Sequence, residues 1–243
     1  MCFFIKRFRT LLIGASPYLG IKDMATTYMR PCDIRKALDI LMRRYGIRPR
    51  DIERRSPYRT LIGTILSQRT KDDVTRQAEE RLFRQAPNPK KMLLLGEARI
   101  RKLIYPVGFY RQKAERIRKV SRIILEKYGG KVPMDRELLM ELPGVGGKTA
   151  DCVLCFAFGK AVIPVDTHVE VISKRLGIAN QDDGPEVVRE KLHRIIHPNK
   201  RRVVNLLLVE FGKDICRSNR PGCTSCPIKS YCKSNVANRS KER

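Results

Sequence analysis

The chain has 243 residues, enough to bury a sizeable core as one domain or two. Its 51 lysines and arginines face only 25 acids, giving a formal charge of +26 and a pI of about 10.2; this excess points to a polyanionic partner and sets aside the balanced, ion-paired surface of a merely thermostable protein. An apolar fraction of 42% with no run of membrane-span length is what a soluble globular protein requires, and no membrane partner is expected.

Residues 1–30 read as a flexible N-terminal extension. Up to Met24 they have a basic start and a short apolar centre that Gly14 and Pro17 interrupt, a poor secretory signal, and Met24 is the alternative start. From residue 31 onward the chain reads as short helices between Gly, Pro or polar breaks. Ile34, Leu38, Leu41, Met42 and Tyr45 recur at helical spacing and stop at Gly46. Ser56-Pro57 supplies a serine cap and a first-turn proline for "YRTLIGTILSQ", which is apolar on most sides and therefore central. "KDDVTRQAEERLFRQ" opens with acids and stops before Pro87, and "ARIRKLIYPVGFY" is shorter and broken at Pro106. Ala114, Ile117, Ser121, Ile124 and Tyr128 mark one face of a longer helix that ends at Gly129-Gly130. "DRELLMEL" leads into a glycine loop and "TADCVLCFAFG" leaves it. "THVEVISKRLG", "PEVVREKLHRII" and "RRVVNLLLVEFG" follow, then a cysteine-rich window and a basic tail at 236–243. Convincing alternating strands, internal repeats and low-complexity tracts are absent, so the expected class is all-α.

The loop "LPGVGGKTADCVL", residues 142–154, sets a lysine at the first turn of a helix directly behind a proline and three glycines. A nucleotide-binding P-loop would need its first glycine at Leu142 and a strand where "MDRELLMEL" is helical, so that reading fails twice. Helix, tight glycine turn, helix fits instead. Gly144 and Gly146 permit backbone conformations closed to other residues, and free N–H groups at the start of the second helix point outward to hold a DNA phosphate. Pro143, Gly144, Val145 and Gly146 are the expected DNA contacts; an ordinary hairpin of a helical bundle is the bland alternative. Lys148 is then either a simple phosphate contact or an amine nucleophile. Asp166 is either an N-cap for "THVEVISKRLG" or a carboxylate that stabilises charge developing in a reaction, and a capping position would fix its geometry for the second role.

Cys2, Cys32, Cys152 and Cys155 are scattered, whereas Cys216, Cys223, Cys226 and Cys232 fall within seventeen residues as C-x6-C-x2-C-x5-C. A disulfide scaffold is small, secreted and loop-rich, and this chain is not, so an intracellular, reducing compartment is expected. Four thiolates suit zinc or an iron–sulfur cluster. Structural zinc usually takes two short cysteine knuckles and the window has one, which favours a loop wrapped around a single cubane. Cys152 and Cys155 repeat the Cys-x-x-Cys spacing inside an apolar helix and read as core residues.

"ELPGVGGKTADCVL" followed by "VDTH", Val165 to His168, resembles the signature of the helix-hairpin-helix DNA glycosylase superfamily, which pairs this hairpin with a downstream aspartate. Within it the chain is most similar to the endonuclease III family of oxidised-pyrimidine glycosylases and abasic-site lyases, over about residues 32–235. The resemblance implies Lys148 as the nucleophile that also allows strand cleavage, Asp166 as its catalytic carboxylate, and a [4Fe-4S] cluster on Cys216, Cys223, Cys226 and Cys232. It further implies that "LSQRTKD", Leu66 to Asp72, is the loop that fills the hole left by a flipped base. Counted without gaps, the position usually held by the inserted glutamine is Arg69 here, with Gln68 one residue earlier; either side chain is a candidate.

The expected architecture is two helical lobes flanking a DNA-binding cleft. One, about 52–160, carries the wedge and hairpin; the other joins 31–51 to 161–235 and the cluster loop, with Lys148 and Asp166 facing each other across the cleft. The expected activity is base-excision repair of oxidised pyrimidines in duplex DNA, with cleavage of abasic sites through a Schiff base. The protein is expected to act as a monomer in the cytoplasm or on the nucleoid. The rivals are a mismatch or 8-oxoguanine glycosylase on the same scaffold and a non-catalytic DNA-binding protein; the last leaves the pairing of Lys148 with Asp166 unexplained.

Overall fold

The computed structural model describes residues 31–235; the expected N-terminal extension with its alternative start, and the basic tail at 236–243, lie outside the described residues. Among the described residues, all regular structure is helical: ten α-helices and three short 3-10 turns, with no strand. The all-α class read from the apolar periodicity holds.

Two buried cores organise the chain. The first is built from α2 (Pro57–Ser67), α3 (Asp72–Gln85), α4 (Pro89–Ile104), α5 (Tyr110–Tyr128), α6 (Arg136–Met140) and α7 (Gly147–Phe156). Its centre is α2, whose Leu61, Ile62, Ile65 and Leu66 are all fully buried; each contributes roughly 2 kcal/mol on removal from water. The second core joins α1 (Pro31–Tyr45) to α8 (Thr167–Leu176), α9 (Pro185–Ile195) and α10 (Pro198–Asp214), with Ile34, Leu38 and Leu41 packed beside Val203, Leu207 and Phe211. The cysteine window closes this second lobe through Ile228.

One local expectation changes and one helical segment is added. Ser56 is the N-cap residue of α2, but its side chain makes no capping hydrogen bond; Thr60 Oγ1 donates to the Ser56 carbonyl. The helix expected from Ala98 forms, and within α4 a further segment precedes it from Pro89, where Asn88 caps it by accepting from Lys91 N at 2.9 Å. Gly96 separates the two segments, at φ 70°, ψ 162°, outside helical geometry. Asn88-Pro89 is itself a cap followed by a first-turn proline, the signal that would have located this start.

Candidate active site and nucleic-acid interface

The hairpin is short because each half is stopped locally. Asp135 caps α6 by accepting from Leu138 N at 2.9 Å, and a turn bond from Val145 N to the Leu142 carbonyl (3.0 Å) closes the loop. Leu139, Leu142 and Val145 are buried beneath it, so the Val145 position can meet a ligand only through its backbone. Gly144 stands at φ 77°, a conformation that favours glycine, and a Cβ there would lie 2.1 Å from Arg116 Cδ, so that side chain would have to move. Gly146 is the N-cap residue of α7 and offers no side chain to cap the helix, which leaves the amino end available to an anion. Lys148 stands exposed on the first turn, with Thr149 and Ala150 buried behind it.

Asp166 is the N-cap of α8 and accepts from Val169 N at 2.9 Å through Oδ1. The cap holds the carboxylate by one oxygen and leaves Oδ2 outside that bond. The buried Cys152 thiol lies among the charged groups of the site: burial pushes it up to about 11, Lys148 pulls it down, and Asp166 and Asp151 push it up. One buried sulfur therefore senses both the amine of α7 and the carboxylate of α8. His168 packs against Gly212, where a Cβ would meet its Nδ1 at 2.4 Å. His193 Nε2 accepts from Ile163 N at 3.0 Å, and His197 caps α10 through Asn199 N.

The loop after α2 separates its two candidates. Gln68 is turned inward: Nε2 donates to the Gly144 carbonyl at 3.0 Å, and Arg116 Nη1 donates to its Oε1 at 3.3 Å. Arg69 is exposed at φ 51°, with its guanidinium 5.8 Å from the ring of Phe109, which is also exposed and sits at φ 57°. Beneath them Lys113 is buried and donates to the Leu66 and Gln68 carbonyls and to Thr70 Oγ1. Burial, helped by the charge of Arg116, pushes this amine down to about 8. Gln68, Arg69, Phe109, Lys113 and Arg116 line an open cleft of about 400 Å³. Phe109, Lys113 and Arg116 were not singled out from the sequence. An aromatic next to a glycine after Pro106 was the available hint for Phe109; the other two depend on packing.

Cys216, Cys223, Cys226 and Cys232 border a cavity of about 200 Å³ against Phe211, Ile215 and Ile228. Among the described residues, no three His, Cys, Asp or Glu side chains converge on a single metal ion. The four cysteines share one cavity, and a soft, all-thiol donor set suits a thiophilic metal centre. Arg175 ties the loop down, donating to the Cys216 carbonyl (3.1 Å), the Cys216 sulfur (3.4 Å) and the Arg217 and Ser218 carbonyls. Cys152 and Cys155 are buried in α7, as core residues.

Residues 62–198, from α2 to the start of α10, match the HhH-GPD superfamily of base excision DNA repair proteins. The chain belongs to this superfamily. The match includes the hairpin, Lys148 and Asp166, and ends before the cysteine window. Endonuclease III of Thermotoga maritima is 43% identical over 184 residues, 76% of this chain and 86% of that one. Among solved structures, a non-covalent endonuclease III–DNA complex superposes with a TM-score of 0.79 at 34% identity, covering 87% of this chain and 99% of that one. A trapped covalent endonuclease III–DNA intermediate in an estranged-adenine complex gives 0.78 at 34% identity, covering 86% and 99%. Membership makes the enzyme class that of DNA glycosylases and abasic-site lyases, and no helix among the described residues is long and apolar enough to cross a membrane.

Proposed function

We propose that this base-excision repair enzyme removes oxidised pyrimidines from duplex DNA and cleaves the resulting abasic site, with Lys148 as nucleophile. The observation that carries the reading is an exposed amine at an uncapped helix start, behind a glycine turn, with the cap carboxylate Asp166 in the same electrostatic neighbourhood. Similarity to an endonuclease III trapped covalently on DNA supports an amine that bonds to the sugar.

In this scheme Lys148, having given up a proton, bonds to C1′ through its lone pair while the C1′–N bond breaks and its electron pair leaves with the base. Asp166 Oδ2 faces the positive charge that develops on the sugar and serves proton transfer. Opening of the sugar ring gives the protonated Schiff base. Loss of a C2′ proton then expels the 3′ phosphate, and water releases the enzyme. Gly144 and Gly146 present backbone to a phosphate, while Val145 contributes packing. Arg69, exposed and stacked on Phe109, is the residue we assign to the gap left by the flipped base; Gln68 instead links that loop to the hairpin.

Cys216, Cys223, Cys226 and Cys232 would hold a [4Fe-4S] cluster, which when bound supplies a covalent cross-link within a loop otherwise short of core. Thiolate ligation of that kind suits a reducing, cytoplasmic setting.

Borohydride trapping tests the assignment of Lys148. The wild-type protein should form a covalent complex with duplex DNA carrying an oxidised pyrimidine or an abasic site. Lys148→Gln should abolish trapping and strand cleavage while keeping DNA affinity within about tenfold, since one phosphate contact among many is worth little. Trapping that survives in Lys148→Gln assigns the chemistry to another amine.

A further inference from the structure

The proposed chemistry needs an amine on α7, in the first lobe, to hold station against a carboxylate on α8, in the second. Nothing in the hairpin itself fixes that register. One turn beyond Lys148, on the same helix, Asp151 is 1% exposed. A carboxylate so deeply buried survives as an anion only if it is paired and hydrogen-bonded.

It is held from both lobes. Arg136 of α6 donates from Nε at 3.2 Å, and Arg189 of α9 donates from Nε at 2.6 Å and Nη2 at 3.2 Å. Arg136 also grips Glu186 of α9, with Nη2 at 2.6 and 2.8 Å from the two carboxylate oxygens. Burial pushes the Asp151 carboxyl up, and the two guanidiniums act against it. The network presses on the start of α7: a Cβ at Gly147 would lie 2.2 Å from Glu186 Oε1 and 2.4 Å from Arg136 Nη2. Meanwhile α9 turns its apolar residues, Val188 and Leu192, into its own lobe's core. Its contact with α7 is therefore directional and ionic, the kind of contact that sets an angle and a distance rather than merely adding stability.

We propose that Asp151, clamped by Arg136 and Arg189, is a positioning residue that pins the α7 helix to α9 and thereby sets where Lys148 stands relative to Asp166. This rests on the assignment of Lys148 as nucleophile. Asp151 touches no reacting atom; it acts through the helix that carries the amine. Misplacement of a reacting group by about 1 Å can cost on the order of a hundredfold in rate, so loosening the pin should slow chemistry without weakening DNA binding.

The test is the single-turnover borohydride-trapping rate on abasic-site duplex at saturating protein, with DNA affinity measured on the same samples well below each variant's melting temperature. Asp151→Asn should slow trapping about tenfold or more while affinity changes less than about threefold. Arg189→Met should do the same and Arg189→Lys should recover part of the rate. The control is Tyr58→Phe, which removes a buried hydrogen bond to Ser121 in the same lobe, away from the hairpin, and should lower the melting temperature without slowing trapping. If Asp151→Asn does not fold, Arg189→Lys and Glu186→Gln carry the test, each expected to slow trapping about threefold or more. Wild-type trapping with unchanged rates in the network variants, or slowing that Tyr58→Phe matches, overturns the pin alone. A wild-type protein that traps nothing overturns the nucleophile assignment and the pin with it.

Discussion

Arg69 and Phe109 are the two non-glycine residues at positive φ among the described residues, and they stack on each other, guanidinium to ring, at 5.8 Å. They come from different loops, after α2 and before α5. A left-handed conformation costs a non-glycine residue about 1 kcal/mol, and two such residues meeting at an exposed cleft is a cost borne for position. Arg69→Gly and Phe109→Gly should therefore leave the melting temperature nearly unchanged, relief of strain offsetting the added chain entropy. Each should lower excision of a base lesion about tenfold and cleavage of a preformed abasic site less. Equal losses on the two substrates would remove both residues from the extrusion step.

Gly144→Ala combines a strained φ with a Cβ placed 2.1 Å from Arg116 Cδ. Arg116 must move, and with it the amide of Gln68 that bonds the Gly144 carbonyl. The expected loss is roughly 2 kcal/mol, or about 4–8 °C in melting temperature. In its proposed role on the DNA backbone the hairpin reads no base, so affinity should fall alike for damaged and undamaged duplex. A loss confined to damaged DNA would contradict this.

His193 gives the fold an acid weakness. Burial first, then the charges of Arg189, Arg201 and Arg136, push it down from 6.5 to about 4, and its Nε2 must stay unprotonated to accept from Ile163 N. The folded value lies below the unfolded one, so the unfolded chain binds the extra proton first. The contribution to stability is whole above about pH 6.5, shrinks as pH falls, and is gone below about pH 4. Melting curves across that window should show the decline, and His193→Gln, which keeps an acceptor but does not titrate, should flatten it. A variant that declines in parallel with the wild type would assign the effect to other groups.

Metal analysis of anaerobically purified protein should find iron and acid-labile sulfide, with broad absorption at the blue end of the visible range. Cys223→Ser should lower the iron content and the melting temperature together, because the loop that closes the second lobe then lacks one of its four ties. Stoichiometric zinc in a colourless wild-type protein would replace the cluster by a single ion.

What the sequence made legible was local. A glycine at positive φ, an aspartate three residues before the N–H it caps, and four cysteines in one window are all decided within a few residues, so the hairpin, Asp166 and the thiol cavity could be located from spacing. Ser56 failed for a local reason too: a cap-type residue permits a side-chain cap but does not ensure it, and the Ser56 hydroxyl accepts from no N–H of the first turn. Lys113, Arg116, Phe109 and Asp151 were hidden because their meaning lies in partners 15 to 48 positions away. In a chain with 51 basic residues, nothing local distinguishes a buried lysine from a solvated one.

The two cores differ in how the ribosome delivers them. The first is contiguous from Tyr58 to Ala157 and has all its parts once α7 has emerged. The second needs Ile34, Leu38 and Leu41 of α1 to meet Val203, Leu207 and Phe211 of α10. At roughly 5–20 residues per second, the apolar face of α1 waits on the order of ten seconds or more for its partner, with the whole first lobe folding in between. During that interval the apolar face of α1 has no partner to bury it, so the second lobe is the part of this chain most exposed to wrong contacts while it is being made.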